Sequence, residues 1–131
     1  MKNKNLISLA IVLSYAIIIL GIIHDVATYS PIIKNGLGCL SEGNLQAMLY
    51  MSLICGSSFI ISGLVMILLL KKVADNPFLK TAILAISIFL GISGILAVIY
   101  MFGNPFAYLA LLLNAGVMIV SIILVSKIKN T

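Results

Sequence analysis

Charge is scarce in this chain of 131 residues, and arginine and tryptophan are absent. Charged residues make up 8% of the sequence, whereas hydrophobic residues make up 63%. A soluble domain of this size needs more polar side chains to cover its surface. The composition therefore excludes an ordinary soluble domain and indicates an integral membrane protein.

Residues that usually bind metals or form disulfides are also rare. There are two cysteines, Cys39 and Cys55, which are too few for a disulfide framework. A single histidine and three acidic residues give no ligand spacing typical of a metal site, and no C-x-x-C pair is present. We therefore expect no metal and no cofactor.

The net charge of +5 is carried by eight lysines. They lie in small groups at the ends of apolar runs, as in membrane proteins, and form no basic stripe of the kind that binds nucleic acid. We therefore expect no nucleic-acid partner. The excess of lysine over arginine, with frequent Asn and Ile, suggests an AT-rich bacterial genome.

Four apolar segments have the roughly 20 residues that a spanning helix needs. They predict transmembrane helices at about 6–23, 46–70, 77–102 and 105–127. The first is longer than the usual apolar core of a signal peptide, so we expect it to be retained. The predicted fold is an all-α integral membrane protein, with residues 1–131 forming one four-helix transmembrane domain.

The distribution of lysines predicts the orientation of the chain. Seven of the eight lysines flank the spans on one side, whereas the loop 24–45 contains only Lys34. Because cytoplasmic segments carry the excess of lysine, both termini are expected to face the cytoplasm of a bacterial inner membrane.

Three dipeptides punctuate the connections. Asn76-Pro77 and Asn104-Pro105 each predict an N-cap followed by proline at the first helical position. Ser30-Pro31 repeats the pattern in the outer loop and predicts a short interfacial helix, Pro31–Asn35, closed by Gly36.

Small residues recur on one face of the later spans. Ser52, Gly56 and Gly63 in the second span, and Gly91 and Gly94 in the third, are spaced for close helix packing. Such stripes form either the interior of one bundle or a homodimer face through Gly91-x-x-Gly94.

Polar side chains at membrane depth gather in the outward half of the predicted bundle. They predict an outward-facing cavity whose candidate ligand-binding residues are His24, Asp25, Gln46, Tyr50, Tyr100, Tyr108 and Asn114. Tyrosines also collect at membrane interfaces because their rings are amphipathic, and Asn114 can serve as a hydrogen-bonding contact between helices.

The pair His24–Asp25 ends the first apolar run and supports two interpretations. It is either a structural feature of the helix end, with Asp25 pairing to Lys34 or His24, or a site for a ligand or a proton. The candidate catalytic residues are His24, Asp25 and Glu42. We expect His24 to face the interior and to hydrogen-bond Glu42, Gln46 or Tyr100, because a lipid-facing ring would leave its nitrogens unpaired.

The run Gly21-x-x-His24, the proline-containing loop, Gly56, Gly63 and the segment 104–109 resemble a broad group of uncharacterised four-span bacterial membrane proteins. The group has no assigned activity, so the resemblance implies the layout and the importance of His24. It implies no substrate.

Three classes of function remain open. The first is a binding or accessory protein whose outer cavity takes membrane lipid or a helix of a partner membrane protein. The second is a small oligomeric transporter or channel, and the third is a membrane enzyme with His24 as general base. We expect the first, because the cytoplasmic half has no continuous polar path and no catalytic motif is present.

Overall fold

The computed structural model describes residues 2–128, apart from the side chains of residues 2, 3 and 32–34. Its four long helices are α1 (Lys2–Thr28), α3 (Glu42–Lys72), α4 (Lys80–Tyr100) and α5 (Pro105–Lys127). A short helix, α2 (Pro31–Gly36), lies between α1 and α3, and a 3-10 turn (Pro77–Leu79) leads into α4. The predicted all-helical class and the short loop helix are confirmed, whereas helices α1 and α3 extend beyond the predicted spans.

Most apolar side chains point away from the centre of the bundle. All four long helices are long and apolar enough to cross a membrane, and only 28–33% of each apolar window is buried. A soluble bundle would bury most of these residues. The described residues therefore form a four-helix bundle whose outer surface is suited to lipid.

The two Asn-Pro pairs act differently. The Asn104 side chain accepts a hydrogen bond from the Phe106 N–H, with Pro105 at the start of α5, as predicted. Asn76 precedes Pro77 at the start of the 3-10 turn, but its side chain does not cap that turn; its amide Nδ2 instead donates to the carbonyl of Lys72 at the end of α3. The predicted helix start at Asn76-Pro77 is therefore confirmed, but the side-chain cap expected of Asn76 is not formed.

The two ends of the bundle differ in composition. The end of α1, the start of α3 and the α4–α5 turn lie together, and we call this the His24 end. The end of α3, the start of α4 and the end of α5 form the opposite, lysine end. There the Lys80 Nζ donates a hydrogen bond to the carbonyl of Ile128, which satisfies an acceptor just beyond the last turn of α5.

Helices α1 and α3 are antiparallel and approach closely at two levels. A Cβ added to Gly21 would lie 2.6 Å from the backbone oxygen of Gly56, and a Cβ on Gly63 would lie 2.8 Å from that of Ser14. Real Cβ atoms do not come this close to a backbone oxygen. These glycines therefore determine how near the two helix backbones can lie.

Helices α4 and α5 form a second close pair. A Cβ on Gly94 would lie 2.9 Å from the Cα of Leu111, and one on Gly91 would lie 2.4 Å from the sulfur of Met118. The Gly91–Gly94 face is thus filled by α5 of the same chain. Helix α1 also packs against α5, whereas α3 and α4 touch only sparsely, so the seam between α3 and α4 is the least packed side of the bundle.

Replacing Gly63 with alanine is expected to destabilise the bundle. Its Cβ would meet the Ser14 oxygen at 2.8 Å and the Ile18 Cγ1 at 2.6 Å, and overpacking of this kind costs about 1–3 kcal/mol. Gly116→Ala is the matched control, because its nearest neighbour would be the Leu13 Cδ1 at 3.5 Å, an ordinary contact. Thermal unfolding in detergent micelles measures both; equal stability of the two variants would contradict the packing described.

Candidate functional site

The last two turns of α1 present a polar face to α3. Gly21, His24, Asp25 and Thr28 recur at the spacing that places residues on one side of a helix. Because Gly21 lets the backbones approach, side chains of α1 reach α3 directly. His24 and Asp25 are half-buried and Thr28 is buried.

Three side chains form a continuous hydrogen-bonded chain between the two helices. The His24 Nε2 lies 3.1 Å from the Ser52 Oγ, and the Ser52 Oγ lies 2.6 Å from the Thr28 Oγ1. The Thr28 hydroxyl donates to the carbonyl of His24 at 2.9 Å. This series of hydrogen bonds starts at the His24 ring and ends at the His24 carbonyl, so it forms a closed loop.

Counting protons decides the direction of these bonds. A hydroxyl has one proton to donate. If Nε2 carries a proton, it donates to Ser52, Ser52 donates to Thr28, and Thr28 donates to the His24 carbonyl, so three bonds form. If Nε2 is bare, Ser52 must donate to it, and the Thr28 proton can serve only one of its two neighbours, so two bonds form. The first arrangement makes one more hydrogen bond, and we therefore assign His24 the Nε2–H tautomer.

This assignment bears on the chemistry available to Ser52. A distance of 3.1 Å between a hydroxyl and an imidazole nitrogen is that of a nucleophile beside its base. A general base, however, needs a bare nitrogen facing the hydroxyl, and in the Nε2–H tautomer this nitrogen is a donor. The contact is therefore a structural link between α1 and α3.

Asp25 is directed to a different part of α3. Its Oδ2 accepts a hydrogen bond from the Ser57 hydroxyl at 3.3 Å. Its Oδ1 is buried and has no hydrogen-bond partner among the described residues. It lies against Gly56, where an added Cβ would come within 1.9 Å of it. Asp25 therefore pairs with Ser57, and Gly56 provides the space for its carboxylate.

Two adjacent cavities meet at His24. The end cavity, about 400 Å³, opens at the His24 end, and its polar lining includes His24, Thr28, Ser52 and Asn104. The interhelix cavity, about 220 Å³, lies at the α3–α4 seam, and its apolar lining includes Phe59, Leu96, Ala97, Ala107 and Ala110.

The boundary between the two cavities is made by shared residues. His24, Met101 and Phe106 line both, and the His24 and Phe106 rings lie with their centroids 6.0 Å apart. The arrangement therefore joins a mouth that contains a few polar side chains to an apolar interior. Within the described part of the chain, no group of three or more His, Cys, Asp or Glu side chains is placed to hold a metal ion.

The predicted inward orientation of His24 is confirmed, but its hydrogen-bond partner is not one of the three residues that were expected. His24 faces other helices and bonds a polar group on one of them, yet this group is Ser52, and the expectation of Glu42, Gln46 or Tyr100 was wrong. Gln46 lies six residues before Ser52, roughly 9 Å further along α3. Tyr100 is 82% exposed.

The other predicted ligand-binding residues lie away from the two cavities. Glu42, Gln46 and Tyr50 are exposed near the start of α3, and Tyr108 is exposed on α5. None of them, nor Asp25, lines either cavity.

Asn114 is fully buried and packs close to Gly94. Its amide makes no side-chain hydrogen bond to a described residue. The hydrogen-bonding contact that the sequence suggested for Asn114 is therefore not formed.

Sequence reasoning did not identify Ser52, Thr28, Asn104 and Phe106 as parts of one site. A signal for Ser52 was present, because it lies one turn before Gly56 on the face expected to pack. Phe106 and Asn104 carried only the signature of a helix start.

Comparison with known proteins gives no match, whether with family models, curated proteins or solved structures. The likeness to uncharacterised four-span proteins therefore rests on the short motifs around His24, Gly56 and Asn104 alone.

Proposed function

We propose that this chain is a multi-pass protein of a bacterial cytoplasmic membrane that binds an amphipathic, single-chain lipid molecule at its outer end. The observation that carries the proposal is the junction at His24, where a cavity lined partly by the polar side chains of His24, Thr28, Ser52 and Asn104 adjoins an almost wholly apolar one. An amphipathic molecule has the same two parts. The end cavity, about 400 Å³, is within the roughly 300–1,000 Å³ typical of small-molecule sites.

The α3–α4 seam favours a lipid chain over a partner helix. The interhelix cavity lies at this seam, where the two helices touch sparsely but remain in contact. A helix is about 10–12 Å across and would enter only if α3 and α4 separated. An alkyl chain is much narrower and can reach the cavity from the surrounding bilayer.

The lysines support an orientation with both termini in the cytoplasm. Lys71, Lys72, Lys80 and Lys127 lie at the lysine end, and cytoplasmic segments are enriched in lysine. In this orientation the His24 end and both cavities face outward, so the site opens to the outer leaflet.

Cysteine labelling in whole cells tests this orientation. After Cys39 and Cys55 are replaced by serine, a cysteine introduced by Asn35→Cys should react with a membrane-impermeant reagent. One introduced by Asp75→Cys should react only after the cells are opened. The reverse pattern would show that the bundle is inserted the other way round.

Filling the interhelix cavity is expected to weaken binding of the lipid, because its alkyl chain would lose this space. Ala97 lines this cavity, so Ala97→Phe should weaken binding of 1-palmitoylglycerol at least about tenfold, or about 1.4 kcal/mol. Ala85→Phe is the matched control, since Ala85 is exposed on the same helix and its replacement should leave binding unchanged. Native mass spectrometry of the protein in detergent micelles measures the bound fraction.

Three outcomes would overturn the proposal. Equal binding by the Ala97→Phe and Ala85→Phe variants would place the lipid elsewhere. Co-purification of a membrane protein, with no lipid retained by the wild-type chain, would favour a partner helix. A water-filled pore through an oligomer would favour a transporter or channel.

A further inference from the structure

The hydrogen bonds at the His24 end restrict which head group the end cavity can accept. In the assigned tautomer, Nε2 of His24 donates its proton to Ser52, 3.1 Å away. A neutral imidazole with a proton on Nε2 has a bare Nδ1, which is a hydrogen-bond acceptor. The ring can therefore offer a ligand one acceptor, and the ligand has to supply the proton.

Asn104 supplies the complementary group. Its Oδ1 accepts the Phe106 N–H at 2.9 Å, and this bond fixes which end of the amide is oxygen. The other end is the Nδ2 group, which has two protons and can only donate. Because Asn104 and His24 line the same cavity, the Asn104 Nδ2 donor complements the His24 Nδ1 acceptor there.

A hydroxyl fits this pair, because it donates one hydrogen bond and also accepts. A carboxylate or phosphate is a poor fit, since an ionised oxygen has no proton for Nδ1. The local charge also disfavours an anionic head group. The segment 24–45 contains two acidic residues, Asp25 and Glu42, and one lysine, Lys34, so its net charge is negative.

We infer that the ligand is a neutral single-chain lipid with a hydroxyl head group, such as a monoacylglycerol or a long-chain alcohol, whose hydroxyl bridges the His24 Nδ1 and the Asn104 Nδ2. This inference rests on the proposed lipid-binding function and adds the chemistry of the head group. Part of the alkyl chain occupies the interhelix cavity and the rest extends into the bilayer, while the hydroxyl lies in the end cavity.

Binding of two probes with the same chain tests the head group. Native mass spectrometry of the full-length protein in detergent micelles compares 1-palmitoylglycerol with palmitate at neutral pH. Wild-type protein should bind the monoacylglycerol at least about tenfold more tightly. If neither probe binds, the proposed function fails. If both bind and palmitate binds equally well or better, the lipid site stands and the head-group inference fails. Binding of hexadecanol distinguishes a long-chain alcohol from a monoacylglycerol as the ligand, because hexadecanol has a hydroxyl but lacks the glycerol oxygens.

Two substitutions of His24 separate its two nitrogens. His24→Gln places its amide near Ser52 and removes the acceptor at the Nδ1 position, so the preference for the monoacylglycerol should fall at least fivefold. His24→Asn keeps an amide oxygen near the Nδ1 position but no longer reaches Ser52, so most of the preference should remain. Thermal unfolding of each variant verifies that it is folded. Retention of the full preference by His24→Gln would overturn the assignment of Nδ1.

Asn104→Asp tests the donor while keeping the helix cap. An aspartate oxygen can still accept the Phe106 N–H, but the Nδ2 donor is lost, so binding of 1-palmitoylglycerol should weaken at least fivefold. Tyr100→Phe is the control, because it removes a hydroxyl from the same end at a side chain that is 82% exposed and lines neither cavity. Equal binding by the Asn104→Asp and Tyr100→Phe variants would show that Asn104 does not contact the head group.

Discussion

The close approach of α1 and α3 is the constraint on which the rest of the His24 end depends. Gly21 and Gly56 face each other across this contact, and a Cβ on Gly21 would lie 2.6 Å from the Gly56 oxygen. In a bilayer, apolar burial does not drive helices together, so backbone proximity and hydrogen bonds have to do so. Any larger residue at Gly21 would separate His24 from Ser52, and the chain of bonds that returns to the His24 carbonyl would open.

The same contact explains why two neighbouring polar residues have different roles. His24 points toward α5 and the cavities, where Phe106 lies beside its ring. Asp25 is about 100° further round the helix and meets Gly56 and Ser57 instead. Asp25 thus helps to join α1 to α3, while His24 joins the helices and also lines the site. In the proposed function, one side chain therefore couples the integrity of the bundle to recognition of the lipid head.

The sequence predicted the helices because their signals are local. Apolar runs set the four long helices, and Ser30-Pro31 and Asn104-Pro105 marked helix starts that the structure contains. The contacts of the site are not local. Spacing within one helix shows which residues share a face, but the register between α1 and α3 comes from glycine contacts that can pair in several ways. Ser52 was therefore recognised as a packing residue and not as the partner of His24. Asn76 shows the opposite difficulty, since the dipeptide begins the 3-10 turn as expected but the Asn76 side chain bonds the end of α3 and does not cap the turn.

In the proposed site, His24 donates from Nε2 to Ser52 and keeps Nδ1 bare for the ligand. Because the chain has a single histidine, NMR of its two imidazole nitrogens in selectively labelled protein can be assigned without ambiguity. The account predicts a protonated Nε2 and a bare Nδ1 in the ligand-free protein at neutral pH, with the Nδ1 signal shifting when 1-palmitoylglycerol binds. A proton on Nδ1 with a bare Nε2 would contradict the account, because Ser52 would then be the donor and His24 would have no acceptor to offer the head group.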